Sequence, residues 1–165
     1  MTRSPLPYSP QVLDHFRNPR NLGPMADADV KASAGSMACG DMITFYLKVK
    51  DANLESISFE SFGCASNIAT ASALTERVKG QLLRDAFFAS WKEIAEDLGG
   101  LPPVKVHCGV LAVGALRRSI RKYFEEHPPG PEWLPAELTS DEAHALEEEE
   151  LAETMQDRFE SSDES

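Results

Sequence analysis

Residues 42–62, MITFYLKVKDANLESISFESF, decide the fold because they contain the clearest strand pattern in the chain. Ile43, Phe45 and Leu47 alternate with polar or charged neighbours, which is the period-2 pattern of a half-buried strand. The residues at 51–53, Asp-Ala-Asn, are typical of a turn, and the alternation resumes after them. The stretch therefore predicts an antiparallel β-hairpin.

Helical spacing of apolar residues predicts helices on both sides of this hairpin. Ser9 is a suitable N-cap for the first one, and Pro10 suits its first turn. The loop from Asn21 to Ala38 has room for a weak edge strand. The predicted helices cover Tyr8 to Phe16, the stretch between Cys64 and Gly80, Leu82 to Phe88, Trp91 to Leu98 and Cys108 to Phe124. We expect an α+β fold: a small antiparallel β-sheet with α-helices packed on one face and a metal site at one exposed end.

The charge of the chain is divided unevenly along its length. Residues 125–165 contain 15 acidic residues and one basic residue, whereas residues 1–124 contain 12 acidic and 15 basic ones. We predict one domain over 1–126, a Pro-rich linker over 127–138, and an acidic tail over 139–165 with a marginal helix followed by disorder. Thr139 and Glu142 resemble the capping box of that helix. An acidic tail repels phosphate groups, so we expect binding to neither nucleic acid nor membrane.

The N-terminal segment and the hydropathy of the chain indicate a compartment. No apolar run approaches the roughly 18 residues that cross a bilayer, and MTRSPLPYSP lacks the apolar stretch of a secretory signal. The sequence therefore predicts a cytoplasmic protein. In a reducing cytosol, three cysteines are first interpreted as ligands or nucleophiles rather than as a disulfide framework.

Each cysteine falls where a predicted element begins or ends. Cys39 precedes the first strand of the hairpin, Cys64 separates the hairpin from a helix, and Cys108 begins the last helix. A helix N-terminus favours thiolate over thiol, so we expect Cys64 and Cys108 to be nucleophilic and ready to ligate. Asp41 and His107 add a carboxylate and an imidazole beside the first and third thiols.

Three thiolates and one further ligand satisfy either tetrahedral zinc or a two-iron cluster, and the residues alone leave both open. A hard carboxylate such as Asp41 is a weaker match for a soft-ligand site, which predicts a labile cluster. Each residue also has an ordinary structural interpretation. A lone cysteine is often a small buried hydrophobe, His107 could be structural, and Asp41 could be only a turn residue.

Four segments together resemble the IscU/NifU N-terminal family of iron-sulfur cluster assembly scaffolds. They are YSPQVLDHFRNPRNLG (8–23), ACGD (38–41), FGCASNIATASALTERVKG (62–80) and LPPVKVHC (101–108). The resemblance implies a scaffold that assembles a transient 2Fe-2S cluster from iron and desulfurase-derived sulfur and transfers it, and that is not an enzyme. It implies that Cys39, Asp41, Cys64, His107 and Cys108 bind the metal, with zinc possible in place of the cluster, and that Cys108 accepts the persulfide.

The resemblance also implies partners. They are a cysteine desulfurase, a heat-shock-70-type chaperone with its co-chaperone, a ferredoxin or frataxin-like protein, and acceptor apoproteins. The chaperone would bind the segment Leu101, Pro102, Pro103, Val104 and Lys105, whose consecutive prolines impose an extended conformation suited to a peptide groove. The same segment could instead be a rigid connector that orients His107 and Cys108.

The alternative within the family is a zinc-dependent sulfur acceptor or transferase of the SufU type. Those proteins carry an insertion before the third cysteine and lack the histidine, whereas this chain has no such insertion and has His107. The IscU type is therefore favoured. The chain departs from the family pattern at Asn67, at Gly109 and in the acidic extension after Phe124.

Overall fold

The computed structural model describes residues 8–36, 40–101 and 106–144. Cys39 and residues 102–105, on which part of the predicted site falls, lie outside the described residues, as does most of the acidic tail. The elements in chain order are α1 (Pro10–Arg17), β1 (Val30–Ser36), β2 (Asp41–Lys50), β3 (Asn53–Phe62), α2 (Ala65–Val78), α3 (Leu83–Phe87), α4 (Trp91–Asp97) and α5 (Val106–Glu126).

The predicted hairpin is confirmed as β2 and β3, which pair antiparallel with Phe45 opposite Phe59. Asp51 and Ala52 make the turn with positive φ angles of 52° and 63°, the backbone region that hairpin turns require. β1 pairs antiparallel with the other side of β2, so the sheet order is β1-β2-β3. The weak edge strand allowed for between Asn21 and Ala38 is thus a seven-residue strand.

The prediction that β2 is only half-buried is wrong over its middle. Phe45 and Leu47 are fully buried as predicted, but Thr44 and Tyr46 on the opposite face are also buried. Their polar atoms are satisfied locally, because the Thr44 hydroxyl lies 2.7 Å from that of Ser33 and the Tyr46 hydroxyl donates to Glu60. Hydrogen-bonded polar side chains can be buried without a large penalty, so alternation along the sequence understated the burial of this strand.

The helices agree with the predicted ones to within a few residues. Ser9 caps α1 by accepting a hydrogen bond from the backbone N-H of Val12, as predicted. The described part of α5 begins at Val106, so Cys108 is its third residue rather than its first. α2 packs against α1 and β3, while α5 packs against α2, β1 and β2. No helix within the described residues is long and apolar enough to cross a membrane.

The capping box predicted at Thr139 is confirmed. Its backbone N-H donates to the Glu142 carboxylate at 2.7 Å, and its hydroxyl accepts from the Glu142 N-H at 3.4 Å. The chain is helical from 140 to 144. Residues between 127 and 144 contact α3 and α5, for example through Trp133, whose ring centroid lies 5.7 Å from that of Phe87. The domain boundaries given above stay a prediction.

Candidate metal centre

Three of the five predicted site residues meet at one end of the sheet. Asp41 is the first residue of β2. Cys64 is the N-cap of α2, with extended backbone angles and no side-chain capping hydrogen bond. Cys108 lies in the first turn of α5, where it is 3% exposed. The start of β2 lies beside the end of β3 in the antiparallel hairpin, and α2 follows β3 directly. The hairpin therefore brings Asp41 and Cys64 to the same end of the sheet, and the first turn of α5 places Cys108 there.

The Cys108 thiol has a strongly raised pKa. Burial is the largest cause, followed by the charges of Cys64 and Asp41 and by a hydrogen bond with Cys64, and together they raise the pKa to about 12, although the neighbouring Ser66 hydroxyl lowers it. The expectation that the helix start makes Cys108 a thiolate is therefore wrong for the metal-free chain. Desolvation and the electrostatic effects of the neighbouring groups outweigh the helix dipole. A cation close to Cys108 would lower the pKa of its thiol, because a positive charge favours the thiolate.

Gly63 makes room for the Asp41 carboxylate. A Cβ at Gly63 would lie 2.5 Å from Asp41 Oδ1 and 2.9 Å from Asn67 Nδ2, and its φ of 154° also disfavours a side chain. Only glycine allows this close approach. The glycine directly before Cys64 could have signalled this approach, because glycine is the usual residue where the backbone comes close to another group.

Gly35 fixes the backbone of the same residue. With a φ of 81°, it brings β1 so close to β2 that a Cβ would lie 2.2 Å from the carbonyl oxygen of Asp41. Sequence reasoning missed Gly35, because the glycine lies in a segment that was predicted as a loop with room for only a weak edge strand. Its position shows that β1 as well as the hairpin places the Asp41 carboxylate.

Asn67 is a further residue that sequence reasoning did not place at the site. It is fully buried on the first turn of α2, and its amide donates to the Ser61 hydroxyl at 3.0 Å and to the Phe62 carbonyl at 3.4 Å. Among the described residues, its Oδ1 atom has no hydrogen-bond partner. Through these hydrogen bonds, Asn67 links the end of β3 to the first turn of α2. The bonds stabilise the short connection between the two elements, which contains Gly63 and Cys64.

Among the predicted ligands that the structure describes, His107 is the most exposed. Its side chain is exposed, and its Nδ1 atom lies 3.4 Å from Nε2 of His144. The structure therefore adds a second imidazole that the sequence analysis did not connect to the site. His144 comes from beyond the last core helix, and nothing in its sequence neighbourhood indicated where it would lie.

The described residues do not by themselves complete a metal shell. Across 8–36, 40–101 and 106–144, no group of three or more His, Cys, Asp or Glu side chains is arranged to hold a metal ion. Cys64 is hydrogen-bonded to Cys108, but Asp41 acts on Cys108 through its charge, and Coulombic effects act over longer distances than coordination bonds. Because Cys39 lies outside the described residues, the ligand set of Cys39, Asp41, Cys64, His107 and Cys108 stays a prediction.

Comparison with known protein families identifies the family of the chain. The model of the NifU-like N terminal domain matches residues 7–128, which is most of the chain and includes every predicted site residue. The chain belongs to this family. Its C-terminal extension beyond residue 128 falls outside the matched region.

The curated relatives of this chain include scaffold proteins. The chain is 49% identical over 120 residues to a protein of Archaeoglobus fulgidus named iron-sulfur cluster assembly scaffold protein IscU 1, with 73% of this chain and 78% of that one covered. It is 45% identical over 119 residues to the scaffold protein IscU of Aquifex aeolicus, covering 71% and 76%. A solved structure of the N-terminal part of a nitrogen-fixing NifU-like protein from Brucella abortus superposes with a TM-score of 0.58 at 25% identity, covering 72% of this chain and 94% of that one.

One departure from the family pattern has a packing explanation. Gly109 follows Cys108 on the side of α5 that faces α4, and a Cβ there would lie 3.2 Å from the Cβ of Trp91. A contact this close requires the neighbour to shift, so a glycine lets α4 approach the turn of α5 that contains Cys108. The bulky Trp91 and the small Gly109 are therefore complementary in this chain.

Proposed function

We propose that this chain is a scaffold on which a labile 2Fe-2S cluster is assembled from iron and persulfide sulfur and then transferred to acceptor proteins. The observation that carries the proposal is the meeting of Asp41, Cys64 and Cys108 at one edge of a fold whose family includes the IscU scaffolds. In this proposal, iron and sulfide are the cargo, and the chain provides the ligands that bind them rather than catalysing a reaction. A reducing, cytoplasmic setting keeps the thiols available.

Sulfur enters at Cys108 in this scheme. The Cys108 thiolate attacks the outer sulfur of a persulfide on a cysteine desulfurase, which forms a persulfide on Cys108 and releases the desulfurase cysteine as a thiolate. The high pKa of Cys108 in the metal-free chain, which is caused first by burial, keeps the thiol protonated and unreactive until a cation or the desulfurase compensates the nearby charge of Asp41. This gives a physical reason for sulfur transfer to follow metal or partner binding.

Cys39 and Cys64 serve as steady ligands, and Asp41 or His107 completes the shell. Asp41 is the hard ligand, so it weakens the hold on iron and keeps the cluster transferable. Leu101, which is half-buried, begins the segment through which a heat-shock-70-type chaperone and its co-chaperone would promote release. A ferredoxin or frataxin-like protein would assist assembly by supplying electrons or iron.

Replacement of the cysteines tests the proposal. We expect Cys39→Ala, Cys64→Ala and Cys108→Ala each to abolish the visible absorption of a cluster during anaerobic reconstitution with iron, cysteine and desulfurase. Ser58→Ala, on β3 opposite Tyr46 and away from the site end, is a matched control that should assemble the cluster normally.

Two results would count against the scaffold. One is cluster assembly by all three cysteine variants at the level of the parent. The other is stimulation of desulfurase turnover that requires stoichiometric zinc while no cluster forms, which would indicate a zinc-dependent sulfur acceptor of the SufU type. Chelation that unfolds the domain would indicate a structural zinc site instead.

A further inference from the structure

A cleft of about 710 Å³ lies between the sheet, α5 and the segment that follows α5. Residues 127–144 are called here the C-terminal extension. Lys31 of β1, Tyr46 of β2 and Lys122 of α5 line the cleft, and the extension contributes Leu138 and Glu142 to it. A volume of this size is typical of surface sites that bind a ligand. The extension is therefore part of a candidate binding surface.

Two arginines of α5 hold the extension beside the cleft. Arg121 binds both carboxylate oxygens of Glu142, at 2.5 Å and 3.1 Å, and the Glu142 side chain is only 1% exposed. Arg117, one turn closer to the start of α5, donates to the Asp141 carboxylate at 3.2 Å. An enclosed, bidentate ion pair has a specific geometry. The position at which the chain leaves the extension is therefore fixed relative to the cleft.

The side chains that line the cleft carry an excess of positive charge. The cations among them are Lys31, Arg118, Arg121 and Lys122, and the anions are Glu125 and Glu142. The charges of Arg121 and Glu142 compensate each other in the ion pair described above, so three cations remain against one carboxylate. A cleft lined by charges of one sign concentrates their field and attracts groups of the opposite charge. The cleft therefore favours an anionic ligand.

Hydrogen bonds to β1 hold two of these cations at the cleft. The Lys122 ammonium donates to the Lys31 carbonyl at 3.1 Å, and the Arg118 guanidinium donates to the Ser33 carbonyl at 2.9 Å. A carbonyl oxygen has no net charge, so these two bonds position the cations without cancelling their charge. Lysine and arginine side chains with a fixed position are suited to binding carboxylates.

The part of the chain that follows the extension has the opposite charge. Residues 145–165 contain nine acidic residues and one basic residue, and positions 147–150 are four consecutive glutamates. Blocks of like charge often serve as interaction segments. Glu147 follows Glu142, which lines the cleft, by only five residues, and five extended residues span up to about 17 Å. The run of glutamates therefore begins within reach of the cleft.

We propose that this cleft is a docking site for the acidic residues 145–165 of the same chain, with the carboxylates at 147–150 bound by Lys31, Arg118 and Lys122. The tether makes the encounter intramolecular, with an effective concentration on the order of millimolar, so ion pairs that are weak individually suffice. Salt weakens the docking, because Lys31 and Lys122 are exposed. An acidic peptide of another protein binds the cleft only by displacing this segment. None of these groups is a predicted metal ligand, so the inference is independent of the proposed function.

Carbodiimide cross-linking of the full chain tests the proposal, because the reagent joins a lysine amine to a carboxylate that touches it. We expect cross-links from Lys122 to residues 147–150 to be at least about five-fold more abundant than cross-links from Lys79 to the same residues, and to be lost in about 1 M salt. Lys79 is the matched control, since it is an exposed lysine at the C-cap of α2 and does not line the cleft. Mass spectrometry of the peptides, repeated at several protein concentrations, identifies links within one chain.

Backbone amide spectra of two full-chain variants give an independent readout. Lys122→Ser should move the amide resonances of residues 147–150 toward their positions in high salt, whereas Lys79→Ser should leave them in place. Unchanged resonances of the core residues check that both variants are folded.

Three results would overturn the proposal. The first is an equal yield of cross-links at Lys122 and Lys79. The second is cross-links that form only between two chains, which would assign the cleft to a second copy. The third is a set of resonances for residues 147–150 that responds to neither Lys122→Ser nor salt.

Discussion

Gly35→Ala is expected to lower the free energy of unfolding by about 3 kcal/mol, because two costs add. An alanine at a φ of 81° is strained, and its Cβ would lie 2.2 Å from the backbone carbonyl oxygen of Asp41. The neighbour is backbone, so it cannot rotate away, and β1 must separate from β2. Urea denaturation followed by circular dichroism measures the effect.

Gly80→Ala is the matched control for the Gly35 variant. Gly80 has nearly the same φ, 84°, but a Cβ there would meet nothing within 4 Å. The Gly80→Ala variant therefore has only the backbone strain, which should lower its free energy of unfolding by about 1 kcal/mol. The difference between the two variants measures the close approach of β1 to Asp41. Equal destabilisation would show that the strands separate at no cost, and that Gly35 does not position the candidate ligand.

Asp41→Ala is expected to slow the transfer of a loaded cluster to an acceptor on the order of 10-fold, while assembly continues. The three thiolates remain, and loss of the hard carboxylate leaves a softer ligand set that holds iron more firmly. Transfer from the loaded, desulfurase-free protein to an apo-ferredoxin, followed by visible circular dichroism, measures the rate.

The same substitution has a second readout at Cys108. Burial is the main reason for the raised pKa of this thiol, but the Asp41 charge adds to it. Removing the carboxylate should therefore lower the pKa of Cys108 and move its alkylation by iodoacetamide to lower pH. Asp27→Ala is the control, because Asp27 pairs with Lys48 near the far end of β2. An Asp41 variant that transfers its cluster and alkylates like the Asp27 variant would contradict the role given to this carboxylate.

Local patterns predicted those parts of the fold that local physics determines. The β2–β3 hairpin followed from alternation and turn residues, and the capping box at Thr139 followed from the Thr-x-x-Glu spacing. Both depend on contacts between residues close in sequence. The proximity of Asp41 to Cys64 could also be predicted from the sequence, because the hairpin itself brings the start of β2 beside the end of β3.

Features that depend on distant contacts were not predictable in the same way. The buried Thr44 hydroxyl is satisfied by Ser33, which lies in a segment that was predicted as a loop with, at most, a weak edge strand. The high pKa of Cys108 depends on how deeply α5 packs, which the helix start alone cannot reveal. The contact of His144 with His107 follows a tertiary ion pair, Arg121 with Glu142, between residues 21 positions apart in the sequence.

The central claim is that a cluster forms on this chain and then leaves it. The most direct measurement loads the anaerobically purified protein with iron, cysteine and desulfurase, removes the small molecules, and adds an apo-ferredoxin under visible spectroscopy. We predict a 2Fe-2S signal with matching iron and sulfide on this chain, followed by its loss as the ferredoxin gains the cluster. A protein that binds only zinc and persulfide, or a cluster that never passes to the acceptor, would contradict the account.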